Sequence, residues 1–167
     1  MSSPTEEIDE EERELALLEA ERLIELGMIE HDQSNFDKAI VYFKDASMLF
    51  QAQGDRAAYG KTLGNIGNVY LGQGKNNQAI AHYTQSLAIA REFGLRRTVG
   101  NVLGNLGSIY QIQEKHDHAI AHLTQAIDIG RELGDKQMEA THLGNLGNVY
   151  RNQGHYDQAL TQFSQAL

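Results

Sequence analysis

Asparagine is the residue that recurs where this sequence could do chemistry. Asn65, Asn105 and Asn145 stand 40 residues apart, and Asn68, Ser108 and Asn148 follow three places later at the same interval. A carboxamide carries both donors and an acceptor, so it can pair with the N–H and C=O of an extended backbone whatever that backbone's sequence. A row of such groups at even spacing could hold a segment as the edge of a sheet would. The competing reading is a set of solvent-facing polar residues without a ligand. The ladder is preferred, because Gly64, Gly104 and Gly144 each sit beside an asparagine and clear space at a cost in helix stability. Lys61, Asn101 and Asn152 extend the polar side. The candidate groove is therefore Lys61, Gly64, Asn65, Asn68, Asn101, Gly104, Asn105, Ser108, Asn145, Asn148 and Asn152.

Other constellations fall away. Gly60-Lys61-Thr62 looks like the end of a phosphate loop, but the earlier glycine that loop needs is displaced to Gly54, Asp55 standing in its place. No strand precedes it, and the next copy of the sequence reads Gly100-Asn101-Val102 there. His118 and His122, one helical turn apart and near His116, lack an acidic third ligand, so an exposed helix face is preferred to a metal site. No Ser/His/Asp arrangement or converging carboxylate pair can be assembled, so no enzyme activity and no cofactor are expected.

The elements that would carry the asparagines are set by repetition. Leu63-Gly64-Asn65-Ile66-Gly67-Asn68-Val69-Tyr70 returns as residues 103–110 and again as 143–150, while Ala79-Ile80 returns as Ala119-Ile120 and Ala159-Leu160. A fixed period of this kind marks a solenoid, each unit burying its apolar face against its neighbours. Leu63, Ile66, Gly67 and Tyr70 form one helical stripe at i, i+3, i+4 and i+7, with Lys61, Asn65, Asn68 and Gly72 on the other side. Glycines inside helices cost ~1 kcal/mol each relative to alanine, so something must require the missing side chains. For Gly67, Gly107 and Gly147 the expected cause is a packed helix. For Gly64, Gly104 and Gly144 it is the approach of something else, which makes Gly104 an exposed site that alanine should stabilise.

The chain has 167 residues, no cysteine and a formal net charge of −9. Residues 1–30 hold eleven acids and two bases, and the remainder is balanced. The repeats are thus neutral, which argues against nucleic acid as a partner. The acidic run from Glu6 to Glu14 reads as a solvated helix start rather than a mask for a basic partner or for the groove. No apolar run is long enough to span a membrane, and Met1-Ser2-Ser3-Pro4 followed by acids is not a signal peptide, so a cytoplasmic protein is expected.

Ser3-Pro4-Thr5-Glu6 predicts an N-cap, a proline at the first helical position and a capping-box glutamate, opening a helix that runs to about His31. Helices follow over Phe36–Gln53, Arg56–Gly72, Asn76–Phe93, Arg96–Ile112, His116–Leu133, Lys136–Asn152 and Tyr156–Leu167, several closed by glycine stops. Residues 1–15 form an acidic helical extension, and four repeats span 16–55, 56–95, 96–135 and 136–167. No alternating strand pattern appears. The expected class is all-α.

Leu63, Ile66-Gly67, Tyr70, Ala79 and Tyr83, matched by Leu103, Leu106-Gly107, Tyr110, Ala119 and Leu123 and by Leu143, Leu146-Gly147, Tyr150, Ala159 and Phe163, resemble the tetratricopeptide repeat. The first unit matches less closely, with Glu30 where tyrosine is usual. The period of 40 rather than about 34, and the missing proline, resemble the long Leu-Gly-Asn subgroup found in spindle-orientation scaffolds, kinesin light chains and bacterial proteins. The resemblance implies a right-handed α-solenoid of helical hairpins whose concave groove, lined at the two asparagine positions, binds an extended peptide or helix of a protein partner. The alternative is a structural module that oligomerises through its repeats. Leu167 aligns with Leu87 and Ile127, whose helices run on to Phe93 and Leu133. The last hairpin is therefore expected to bare apolar side chains from among Val149, Leu160 and Phe163, and to pair two-fold with a second copy as a homodimer.

Overall fold

The computed structural model describes residues 4–167, with side chains from residue 9 onward. Among them are eight helices and no strand: α1 (Pro4–Asp32), α2 (Phe36–Ala52), α3 (Arg56–Gly72), α4 (Asn76–Glu92), α5 (Arg96–Ile112), α6 (His116–Leu133), α7 (Lys136–Asn152) and α8 (Tyr156–Gln165). Every boundary lies within about two residues of its sequence-based place, the usual uncertainty of helix ends. Pro4 opens α1 as expected, while the Ser3 cap and the Glu6 side chain lie outside the described residues. Asp55 and Asp135 accept hydrogen bonds from the Ala58 and Met138 amides at 2.9 and 3.0 Å, capping α3 and α7. The turn inside the α5–α6 hairpin places Glu114 at φ 58°, the left-handed conformation that Gly154 adopts in the next hairpin.

Two compact units divide the chain, Met1–Ile89 and Ala90–Leu167. One contact recurs in both. A Cβ built on Gly27 would lie 2.6 Å from the Phe43 ring, one on Gly67 2.6 Å from Tyr83, one on Gly107 2.6 Å from Leu123, and one on Gly147 2.6 Å from Phe163. Each large side chain stands 16 residues after its glycine and fills the space that the glycine leaves. The first helix of each hairpin therefore approaches the second more closely than any side-chain-bearing residue would allow. Phe43, Tyr83 and Leu123 are fully buried as a result. The packed-helix cause expected for Gly67, Gly107 and Gly147 is what the structure shows.

In the second unit, α7 lies along α5 through a series of matched positions. Arg97 Nη1 meets Asp135 Oδ2 at 2.7 Å, and a Cβ on Gly100 would lie 2.7 Å from Met138 Sδ. One turn further on, a Cβ on Gly104 would fall inside the His142 imidazole. Gly104 is buried, not exposed, so its glycine is required by the neighbouring helix and not by a ligand. Gly64 is buried too, while Gly144 is half-buried with nothing within 4 Å of its Cβ position. For Gly104 the expectation that the glycine clears a groove is thus corrected: reading one helix at a time placed it opposite the hairpin stripe, and that side is where α7 packs.

His142 is 6% exposed, and neither ring nitrogen has a hydrogen-bond partner among the described residues. Burial holds its pKa below the usual 6.5, against the weaker pull of the Asp135 carboxylate. Thr62 and Val102 hold the same place in the earlier copies and are also buried.

Two predictions follow from this contact. Gly104→Ala should lower the melting temperature because the added methyl displaces His142, and Gly107→Leu should cost ~1–3 kcal/mol or more by overpacking against Leu123. Gly144→Ala should raise it, since the methyl enters open space and relieves a helix-propensity cost of up to ~1 kcal/mol; thermal melts read all three. The second concerns pH. An unfolded His142 takes up a proton more readily than the folded one, so its neutral form supports folding fully above its ordinary pKa and progressively less as pH falls below it. Stability should drop from pH 7.5 to 5, and His142→Val should shrink that drop; an equal drop in both proteins counts against the buried neutral histidine.

Candidate functional site

Each polar stripe lies on the first helix of a hairpin. On α3 it runs Lys61, Asn65, Asn68; on α5 Asn101, Asn105, Ser108; on α7 Thr141, Asn145, Asn148, Asn152, with spacings of three and four residues that keep one face. Lys61, Asn101 and Asn152 are exposed, whereas Asn65, Asn68, Asn105, Ser108, Asn145 and Asn148 are all half-buried. Partial burial is what a binding face requires, because it fixes the side chain while leaving one edge open.

Within the second unit the structure joins two stripes. Asn145 Nδ2 donates to Ser108 Oγ at 3.2 Å, and Ser108 Oγ donates to the Gly104 carbonyl at 3.1 Å. The first-row asparagine of one hairpin thus holds the second-row residue of the hairpin before it. A donor of Asn145 is spent inside the protein. Among the described residues its Oδ1 accepts no hydrogen bond and Asn148 makes none, so the whole Asn148 amide is available.

In the first unit the Tyr83 hydroxyl donates to Asn68 Oδ1 at 2.6 Å. The residue that fills the space over Gly67 therefore also orients the amide one turn away. Leu123 and Phe163, at the same place in later hairpins, have no hydroxyl, which is why Asn148 keeps its acceptor. Sequence spacing alone missed this link, although a tyrosine exactly 40 residues before Leu123 was its visible trace.

The constellations set aside earlier have plain structural roles. Gly60 lies within α3 and its carbonyl accepts from the buried Ser86 hydroxyl at 2.7 Å, while Thr62 Oγ1 bonds back to the Ala58 carbonyl. The His118 and His122 rings both lie against the Tyr110 ring, at centroid distances of 5.3 and 5.1 Å, with Lys115 Nζ 5.8 Å from the same centroid. Tyr70 packs likewise on His82 at 5.1 Å. Among the described residues no group of three or more His, Cys, Asp and Glu side chains could hold a metal ion, and no helix is long and apolar enough to cross a membrane.

No curated protein matches the chain in sequence. Several solved structures match its fold. The crystal structure of BtubC (BKLC) from P. vanneervenii superposes with a TM-score of 0.78 at 20% identity, covering 88% of this chain and 61% of that one. A Rap protein in complex with competence and sporulation factor gives 0.79 at 25% identity, covering 90% and 43%. Aspartyl phosphate phosphatase F from Bacillus subtilis gives 0.78 at 22%, covering 96% and 42%. The chain thus spans less than two thirds of the length of each. The family model for the tetratricopeptide repeat matches residues 18–92 and 98–167, nearly the whole sequence. Helical hairpins, the recurring Gly-to-large-side-chain fit and this match agree, and the chain belongs to the tetratricopeptide repeat family.

Proposed function

We propose that the protein is a non-catalytic, cytoplasmic interaction scaffold that binds an extended segment of a partner protein on the polar faces of its first-of-hairpin helices. The observation that carries this reading is the row of half-buried amides and hydroxyls at Asn105, Ser108, Asn145 and Asn148, held in place on α5 and α7. Amides of this kind address the backbone of a ligand, so affinity comes from peptide groups and selectivity from whatever flanks them. Gly104 drops out of the groove as a packing residue against His142, while Lys61, Asn101 and Asn152 remain as its exposed rim. The Rap protein of similar fold, in complex with competence and sporulation factor, makes ligand binding a natural use of such a chain.

A second reading, self-association through the C-terminal hairpin, is favoured by Tyr156 and Leu160, which are 70% and 66% exposed on α8. Val149, expected on that bare face, is fully buried among Leu143, Leu146 and Ala119, and Phe163 is half-buried over Gly147. The face that remains is carried by Tyr156 and Leu160.

The scaffold reading is tested with a randomised peptide library displayed on phage. Wild-type protein should enrich a set of peptides that the triple variant Asn65→Ala, Asn105→Ala, Asn145→Ala does not retain, because each lost pair leaves a peptide polar group unsatisfied at ~1–3 kcal/mol. Ser108→Ala removes the Asn145 bond without removing an amide and separates loss of scaffold order from loss of ligand pairing. Equal enrichment by wild type and the triple variant sinks the ladder.

A further inference from the structure

We propose that protonation of His142 opens the contact between α5 and α7 and lets go of the amide beside it, so that the candidate groove holds its ligand at neutral pH and releases it in acid. This rests on the scaffold reading above and adds the regulation of that site. The two events meet at Gly104. Its α-carbon lies so close to the His142 ring that a Cβ would fall inside the imidazole. Its carbonyl accepts from Ser108 Oγ at 3.1 Å, and Ser108 Oγ accepts in turn from Asn145 Nδ2 at 3.2 Å. His142 and Asn145 stand three residues apart on α7, neighbours on one face. Both contacts therefore join the same turn of α7 to the same stretch of α5, and drawing the ring away from Gly104 pulls Asn145 from Ser108.

Neutral, the ring fills the space over Gly104 as a flat wedge. Protonated, it carries a charge and two N–H donors, and neither nitrogen has a partner among the described residues. A buried charge without a partner is driven to water. The charged groups around it offer no refuge. Asp135 is held by Arg97 of α5 at 2.7 Å, and Glu139 by Lys136 at 2.9 Å and by Arg131 of α6 at 2.8 Å. Arg131 also meets Asp128, and Arg96, the other charge on α5, pairs with Glu132 of α6. His118 and His122 of α6 lie against Tyr110. Arg151 and Asp157 sit at the turn between α7 and α8, over two helical turns beyond His142. Burial outweighs the pull of Asp135 and holds the ring below its ordinary 6.5. With the joint open the ring titrates at its ordinary value, so the closed joint is complete above that pH and is lost as pH falls beneath it. One proton changes affinity by at most about tenfold per pH unit. Thr62 and Val102, at the same place in the earlier copies, do not titrate, so the switch belongs to this repeat alone.

The test follows two sets of NMR signals of the full chain, the His142 ring and the Asn145 side-chain amide, from about pH 7.5 to about pH 5. Both should move with one shared midpoint below 6.5. His142→Val and His142→Thr borrow the residues that Val102 and Thr62 place at this position, so both should fold, and in both the Asn145 amide should stay still. A second arm uses peptides enriched from a displayed random library at about pH 7.5. Wild type should bind them about tenfold more weakly at about pH 5.5, while His142→Val should hold them equally at both. A ring that titrates while the Asn145 amide holds still overturns the coupling. An amide that moves as much in His142→Val as in wild type assigns the effect to another group and overturns it too. Peptides held equally by wild type at both pH values overturn the regulation and leave the scaffold reading intact. No enriched peptide at all, with ring and amide moving together, overturns the scaffold reading and the regulated binding with it.

Discussion

The structure depends on a missing methyl group. At Gly27, Gly67, Gly107 and Gly147 a large side chain 16 residues later occupies the volume where a Cβ would be. Interiors are close-packed, and the loss or gain of one carbon is felt. The fit therefore fixes how far apart the two helices of a hairpin lie and at what rotation. Once that rotation is fixed, the remaining faces of the first helix have no freedom. In the second unit one face of α5 meets α7 and another carries Asn101, Asn105 and Ser108. The spacing of the polar row is thus a consequence of the apolar fit.

Between hairpins the fit is looser in kind. Thr62, Val102 and His142 all occupy the same buried place, a hydroxyl, a branched alkane and an imidazole in turn. Thr62 returns its hydroxyl to the Ala58 carbonyl of its own helix, and Val102 has nothing to satisfy. His142 has two nitrogens and, among the described residues, no partner for either. Its neighbour Gly104 makes room for the ring, so the pair is accommodated sterically while it remains unfavourable in polar terms. The ion pair along the same edge, Arg97 with Asp135, involves an exposed arginine and contributes little in water. Apolar burial around Leu143, Leu146 and Val149 holds this joint.

Much of this was legible in the residues alone. A 40-residue repeat combined with a 3.6-residue apolar stripe placed each helix, because both signals are local and periodic. The glycines were only half legible. Gly107 lies on the stripe facing its own hairpin, so its cause could be read from one helix wheel. Gly104 lies on the side facing the next hairpin, and a wheel drawn for one helix cannot distinguish that side from solvent. The same blindness put Val149 on the bare end, although it is covered by the hairpin before it rather than the one after. The Tyr83–Asn68 bond was hidden for another reason: it joins two repeat positions in one copy only, so the regularity that revealed the fold averaged it away.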